Sequence, residues 1–118
     1  MKSARRYRLV LVTCGTLTEA HLIARSLVSK RLAACINVAR SPVVSYYTWK
    51  GKLEKSREYL MVIKTTAKHL ATLEKEVKRL HSYDLPEFLA LPIAEGSNKY
   101  LSWVQASVAP LRKKPRYS

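Results

Sequence analysis

The sequence predicts a single α+β domain of order βαββαβ, in which two helices cover one face of a four-stranded antiparallel sheet and a further helix closes the chain. Three observations carry this reading. Apolar residues recur at helical spacing in two segments, Ala20 to Leu32 and Leu70 to Leu80. β-Branched and aromatic residues concentrate in the segments around them, as in "INV" and "VVSYYTW". Lys50-Gly51-Lys52 then places a tight-turn glycine inside the longest extended stretch.

In chain order, "RLVLVT" (8–13) reads as the first strand, and Thr16-x-x-Glu19 has the spacing of a capping box that opens a helix over 17–34. Ala20, Ile23, Ala24, Leu27, Val28 and Leu32 form its apolar stripe, with Arg25, Ser29 and Lys30 between. Residues 35–50 and 52–66 form a long hairpin whose first arm bends at Ser41-Pro42. Leu70, Leu73, Val77 and Leu80 predict a second helix over 67–81, with Lys68, Lys75, Lys78 and Arg79 on its wet side. Pro86 lacks a backbone N–H and biases Leu85 toward extended geometry, so the chain leaves the helix near His81 and enters a fourth strand over 87–95. Ser97 caps a closing helix over 97–108, which Pro110 stops.

A chain of 118 residues with 47% hydrophobic content supports one core. Its formal net charge is +14, but 8 of its 22 basic residues lie in residues 1–8 and 112–118, and the remainder carries 14 basic against 8 acidic groups. The division is a basic tail over 1–7, a domain over 8–108 and a second basic tail over 109–118. Solvated ends predict only weak electrostatic affinity for nucleic acid. Cys14 and Cys35 have neither metal-finger nor disulfide-framework spacing and read as reduced thiols. The opening "MKSARRYRLVLVTCGTL" imitates a secretion signal, but Thr13, Cys14 and Gly15 interrupt its apolar run, which reads as a strand. No apolar stretch approaches the roughly 20 residues of a membrane span. A cytoplasmic setting is the expectation.

In a half-solvated sheet each strand alternates apolar and polar residues, whereas "LVLV", "YLMVI" and "FLALPIA" are apolar on both faces. With the helices committed to one face, a partner subunit is expected on the other. His81, Tyr83, Asp84 and Glu87 form the densest polar cluster, and read either as a solvated bend or as ligands for a cation. Cys14 reads as a buried thiol at the end of the first strand, and Lys64, Glu54 and Glu58 as partners in ion pairs on the hairpin. The chain has no G-x-S-x-G, Walker, G-x-G-x-x-G or H-E-x-x-H motif and only 3 glycines, and no catalytic residue is assigned.

Five blocks, "RLAAC" with Asn37, "YYTWKGKLE", "IKTT", "HSYDLPEFLALP" and "YLSWV", together resemble the CutA divalent-cation tolerance family over about residues 8–108. The resemblance implies a ferredoxin-like subunit in a homotrimer with sheets turned inward, a role in tolerance of copper and other divalent metals, intersubunit clefts, and a fold likened to trimeric PII signalling proteins. It implies no enzymatic reaction. Relatives with a proposed copper site use a cysteine that corresponds to Val12 here and a histidine pair whose first position is Leu80, and Ser82 replaces a proline. Of that set only His81 carries over. Two expectations follow. One is a metal-response trimer that binds copper or zinc weakly through His81 with Cys14 and Glu87, the metal not being needed for folding. The other is a PII-like module for a small molecule or protein, its intersubunit cleft lined by Tyr83, Glu87, Lys64, Trp49 and Glu54.

Overall fold

The computed structural model describes residues 2, 3 and 5–111. In chain order these form β1 (Lys2–Ser3), β2 (Tyr7–Cys14), α1 (Leu17–Ser29), β3 (Cys35–Val38), β4 (Val43–Trp49), β5 (Lys52–Thr66), a 3₁₀ turn (Ala67–His69), α2 (Leu70–Leu80), β6 (Leu89–Pro92), β7 (Glu95–Gly96) and α3 (Asn98–Val108). All strand pairings are antiparallel. β5, 15 residues long, organises the sheet. Its C-terminal half pairs with β2 from Thr66↔Tyr7 to Tyr59↔Cys14 and with β3 from Lys64↔Cys35 to Met61↔Val38, while its N-terminal half carries β4 as a projecting hairpin. β6 pairs with the outer side of β2, giving the order β3-β5-β2-β6. Lys50 (φ 52°) and Gly51 (φ 78°) make the hairpin turn in left-handed geometry, which matches the twist of the flanking strands.

Strand alternation sends Val10, Val12 and Cys14 to one face with Met61 and Ile63, where Ala20, Ile23 and Leu27 of α1 and Leu73 and Val77 of α2 complete a fully buried core. Tyr7 belongs to the opposite face and packs with Ala34 and with Leu101, Val104 and Val108 of α3. Beyond α3, that second face stays apolar. Leu9 pairs with Leu91, and Leu11 with Leu89 and Val62; Leu89 is 55% exposed and Leu91 43%.

Several boundaries differ from the sequence reading for identifiable reasons. α1 ends at Ser29 rather than at residue 34, because Arg31 takes a left-handed φ of 59° and closes a Schellman turn, with Leu32 N–H donating to Leu27 O and Arg31 N–H to Val28 O. The same arginine donates from Nε to Ala109 O (2.6 Å) and from Nη2 to Ala106 O (2.8 Å), capping the end of α3. The helix expected over 67–81 begins as a 3₁₀ turn and ends at Leu80, leaving His81 as its C-cap. The fourth strand is Leu89–Pro92, so Glu87 precedes it instead of starting it. Nor is the N-terminal segment wholly a tail. Tyr7 starts β2 and is buried, and Lys2 and Ser3 pair with Gly96 and Glu95. Of the expected C-terminal tail, residues 112–118 lie outside the described residues.

Candidate functional site

Two adjoining clusters form where β2 ends, α1 begins and α2 gives way to the Pro86 bend. The first centres on His81, whose side chain is wholly buried. Its Nε2 lies 2.7 Å from Thr13 O. A carbonyl only accepts, so Nε2 carries the hydrogen; Nδ1 then accepts from the Tyr83 N–H at 3.1 Å. These two bonds select one neutral tautomer. Glu19 stands 3.9 Å from Nδ1 and accepts from Ser82 N–H (2.7 Å) and the Ser82 hydroxyl (3.2 Å). Thr16 Oγ1 accepts from Glu19 N–H as the capping box requires, but the Glu19 carboxylate reaches across to the 81–83 loop.

Cys14 completes this cluster. Its sulfur, a Glu19 oxygen and a His81 nitrogen all lie within 4.8 Å of one another. The thiol donates to Met61 Sδ at 3.6 Å, and burial, reinforced by the negative charges of Glu19 and Glu58, pushes it up from 9.0 to about 12. A sulfur, an imidazole and a carboxylate are the donor chemistry of a soft or borderline cation. The set fits such an ion only after rearrangement. The thiol is protonated at neutral pH, both imidazole nitrogens are engaged, and among the described residues no buried side-chain nitrogen or oxygen lacks a hydrogen-bond partner.

The second cluster is a cleft of about 610 Å³ whose lining includes Tyr46, Tyr47, Trp49 and Glu54 from the hairpin, Glu58 from β5, and Tyr83, Asp84 and Glu87 from the bend. Tyr83 joins the two clusters. Its ring packs against His81 at a centroid distance of 4.7 Å, and its hydroxyl donates to Glu58 Oε2 at 3.0 Å. A Cβ at position 15 would sit 3.1 Å from that hydroxyl, so Gly15 is what lets the tyrosine approach β2 closely. Burial, then the acceptor Glu58, raises the Tyr83 phenol from 10.0 to about 12, and Glu87 is shifted upward by burial and by Glu58.

These shifts have a stability consequence. The folded values of Cys14 and Tyr83 exceed the unfolded ones, so their stabilisation is complete below about pH 9 and is lost as pH rises toward about 12. Urea midpoints measured from neutrality to alkaline pH should fall across that window, and fall less in a Cys14→Ser/Tyr83→Phe chain. Parallel declines in the two proteins would contradict the assignment.

Of the residues singled out from sequence, His81 and Cys14 come together, while Glu87 joins Trp49, Glu54 and Tyr83 around the cleft. Glu87 is therefore parted from the metal set expected for it. Lys64 is absent from the cleft lining of this chain; its Nζ donates to Asn37 Oδ1 and, at 3.8 Å, to Cys35 Sγ. Glu54 and Glu58 form no ion pair among the described residues; Glu58 accepts from Tyr83 instead. Glu19 was missed as a site residue because its capping-box spacing explained it fully. The available signal was its position in the first turn after a strand that ends in Cys14.

The CutA1 divalent ion tolerance protein family matches residues 8–107, which include every member of both clusters. This chain belongs to that CutA1 family. Among relatives, the divalent-cation tolerance protein CutA of Archaeoglobus fulgidus is 37% identical over 102 residues, 86% of this chain and 98% of that protein. The corresponding Thermus thermophilus protein is 43% identical over 96 residues, 81% of this chain and 92% of that one. The crystal structure of CutA from Xylella fastidiosa matches with a TM-score of 0.85 at 36% identity, covering 88% of this chain and 99% of that chain. The CutA1 match thus extends through the α+β architecture and reaches past β6 into α3.

Proposed function

We propose that this chain is a non-enzymatic metal-response protein that binds copper or zinc weakly at Cys14, Glu19 and His81 and works as a homotrimer of ferredoxin-like subunits. The observation that carries the reading is the convergence of three unlike donor atoms within 4.8 Å. His81 would ligate through Nδ1, the nitrogen facing Glu19, while Nε2–H on Thr13 O fixes the ring as an outer-shell bond does in metal sites. Binding requires Cys14 to lose a proton held up to about 12, which keeps affinity modest and makes it rise with pH. The hydrogen bonds already in place hold the fold without metal.

The trimer reading is supported by the uncovered apolar face around Leu9, Leu11, Leu89 and Leu91. Two free cysteines fit a cytoplasmic, reducing setting. Calorimetric titration with zinc, and with Cu(I) under anaerobic reducing conditions, should give heats that strengthen with pH and affinities at least tenfold lower in His81→Ala and Cys14→Ser. Unchanged affinity in both variants would remove the cluster from metal binding. Sedimentation should report a trimer that persists in high salt, since apolar contact is not screened; a monomer would remove the assembly.

A further inference from the structure

The second thiol, which the proposed metal cluster does not use, has partners of its own. Cys35 on β3 stands directly opposite Lys64 of β5, and Leu9 of β2 faces the same lysine across the other ladder. Residues paired in this way share a face, so Cys35 lies on the second face of the sheet and Cys14 on the first, in the core. β2 and β3 flank β5, about 10 Å apart by ordinary strand spacing. Cα atoms more than about 7 Å apart cannot be bridged, so the two thiols of one folded chain form no disulfide.

What Cys35 has beside it is an amine. Lys64 Nζ donates to Cys35 Sγ at 3.8 Å and is held there by a second bond, to Asn37 Oδ1. The Tyr100 phenol of α3 hydrogen-bonds the same sulfur; burial first, and then Cys35, shifts that phenol upward. The thiol is half-buried, which leaves room for a small reagent. A cysteine oxidised to its sulfenic acid proceeds to irreversible acids unless a neighbouring nucleophile condenses with it, as thiols and nitrogens do. Here the neighbouring nucleophile is a primary amine.

We propose that Cys35 and Lys64 form a reversible redox cross-link, a sulfenamide bond between Sγ and Nζ that is made on exposure to hydrogen peroxide. In the first step the sulfur takes one peroxide oxygen. An S–O bond forms, the O–O bond breaks, and the thiol proton leaves with the departing hydroxide as water; sulfur loses two electrons and the peroxide gains them. In the second, Nζ gives its ammonium proton to solvent and attacks Sγ. An S–N bond forms, the S–O bond breaks, and the hydroxide leaves as water with one amine proton. Two external thiols reverse the link, restoring Cys35 and Lys64 and departing as a disulfide. Both reactants come from one chain, so a neighbouring subunit supplies nothing. The link removes a positive charge from the second face and shields Cys35 from further oxidation. It is independent of the Cys14–Glu19–His81 cluster and extends the proposed function.

The test uses the full chain, stripped of metal with a chelator, treated with hydrogen peroxide, digested with trypsin and weighed by mass spectrometry. A cross-linked Lys64 resists cleavage, so the expected product joins residues 32–40 to residues 58–68 and is lighter than the two peptides by two hydrogens. Dithiothreitol should return both peptides. Lys64→Arg keeps a donor on the sulfur without a primary amine; it should give no linked pair, and instead a Cys35 sulfenic acid trapped by dimedone. Cys14→Ser should cross-link as the parent does while its zinc affinity falls, which separates this site from the metal cluster. An unoxidised Cys35 at millimolar peroxide, the same sulfenic or sulfinic product in the parent and in Lys64→Arg, or a disulfide joining Cys35 of two chains would each overturn the proposal.

Discussion

A Met61→Ala chain is expected to unfold with about 2–5 kcal/mol less stability than the parent. Met61 is fully buried in the middle of β5, opposite Val12 on one side and Val38 on the other, in the core that α1 and α2 close. Truncation removes apolar contact and leaves a cavity that paired strands on both sides cannot collapse. It also takes away the sulfur that accepts from the Cys14 thiol. Met61→Leu keeps nearly the same volume and should lose less than about 1.5 kcal/mol. Urea unfolding of the two variants measures the difference, and a loss below about 1 kcal/mol for the alanine chain would mean that this part of the core is loosely packed.

His81→Ala is expected to destabilise the fold by about 1–3 kcal/mol even in the absence of metal, because the Thr13 carbonyl loses its imidazole donor within a buried site. Loss of the ring contact to Tyr83 adds to this. His81→Gln retains a side-chain N–H donor of comparable reach and should recover part of the deficit. An alanine chain as stable as the parent would show that the histidine is not a latch between β2 and the 81–83 loop. The residue therefore has a structural role that a binding experiment alone would miss.

Residues with a periodic or local signature were legible in the sequence. The helical stripes at Ala20 to Leu27 and Leu70 to Leu80, the caps at Thr16 and Ser97, and the Gly51 turn lie where pattern and turn chemistry predict. The end of α1 was not, since its left-handed position holds an arginine rather than the glycine or asparagine that marks such ends, and what anchors its side chain lies 75 to 78 residues further along. The start of the fourth strand was misplaced for a similar reason. Among the described residues β6 pairs with β2 alone, and its register begins at Leu89↔Leu11, so the apolar residue Phe88 stays outside the ladder. At the site, His81 and Cys14 could be named as chemistry but not as neighbours of Glu19. That proximity depends on how α1 meets the loop after α2, a tertiary relation without a sequence period.

The side chain of Arg31 ties the last turn of α1 to the last turn of α3, two elements on opposite faces of the sheet. Fraying at either end is then shared. Amides at the close of α1 and those at the close of α3 form one opening unit, and their hydrogen exchange should report a common free energy although more than seventy residues separate them along the chain. The outer helix, which by itself covers only part of the second face, adds to its apolar packing on Tyr7 and Ala34 an anchor on the inner layer through the Arg31 guanidinium.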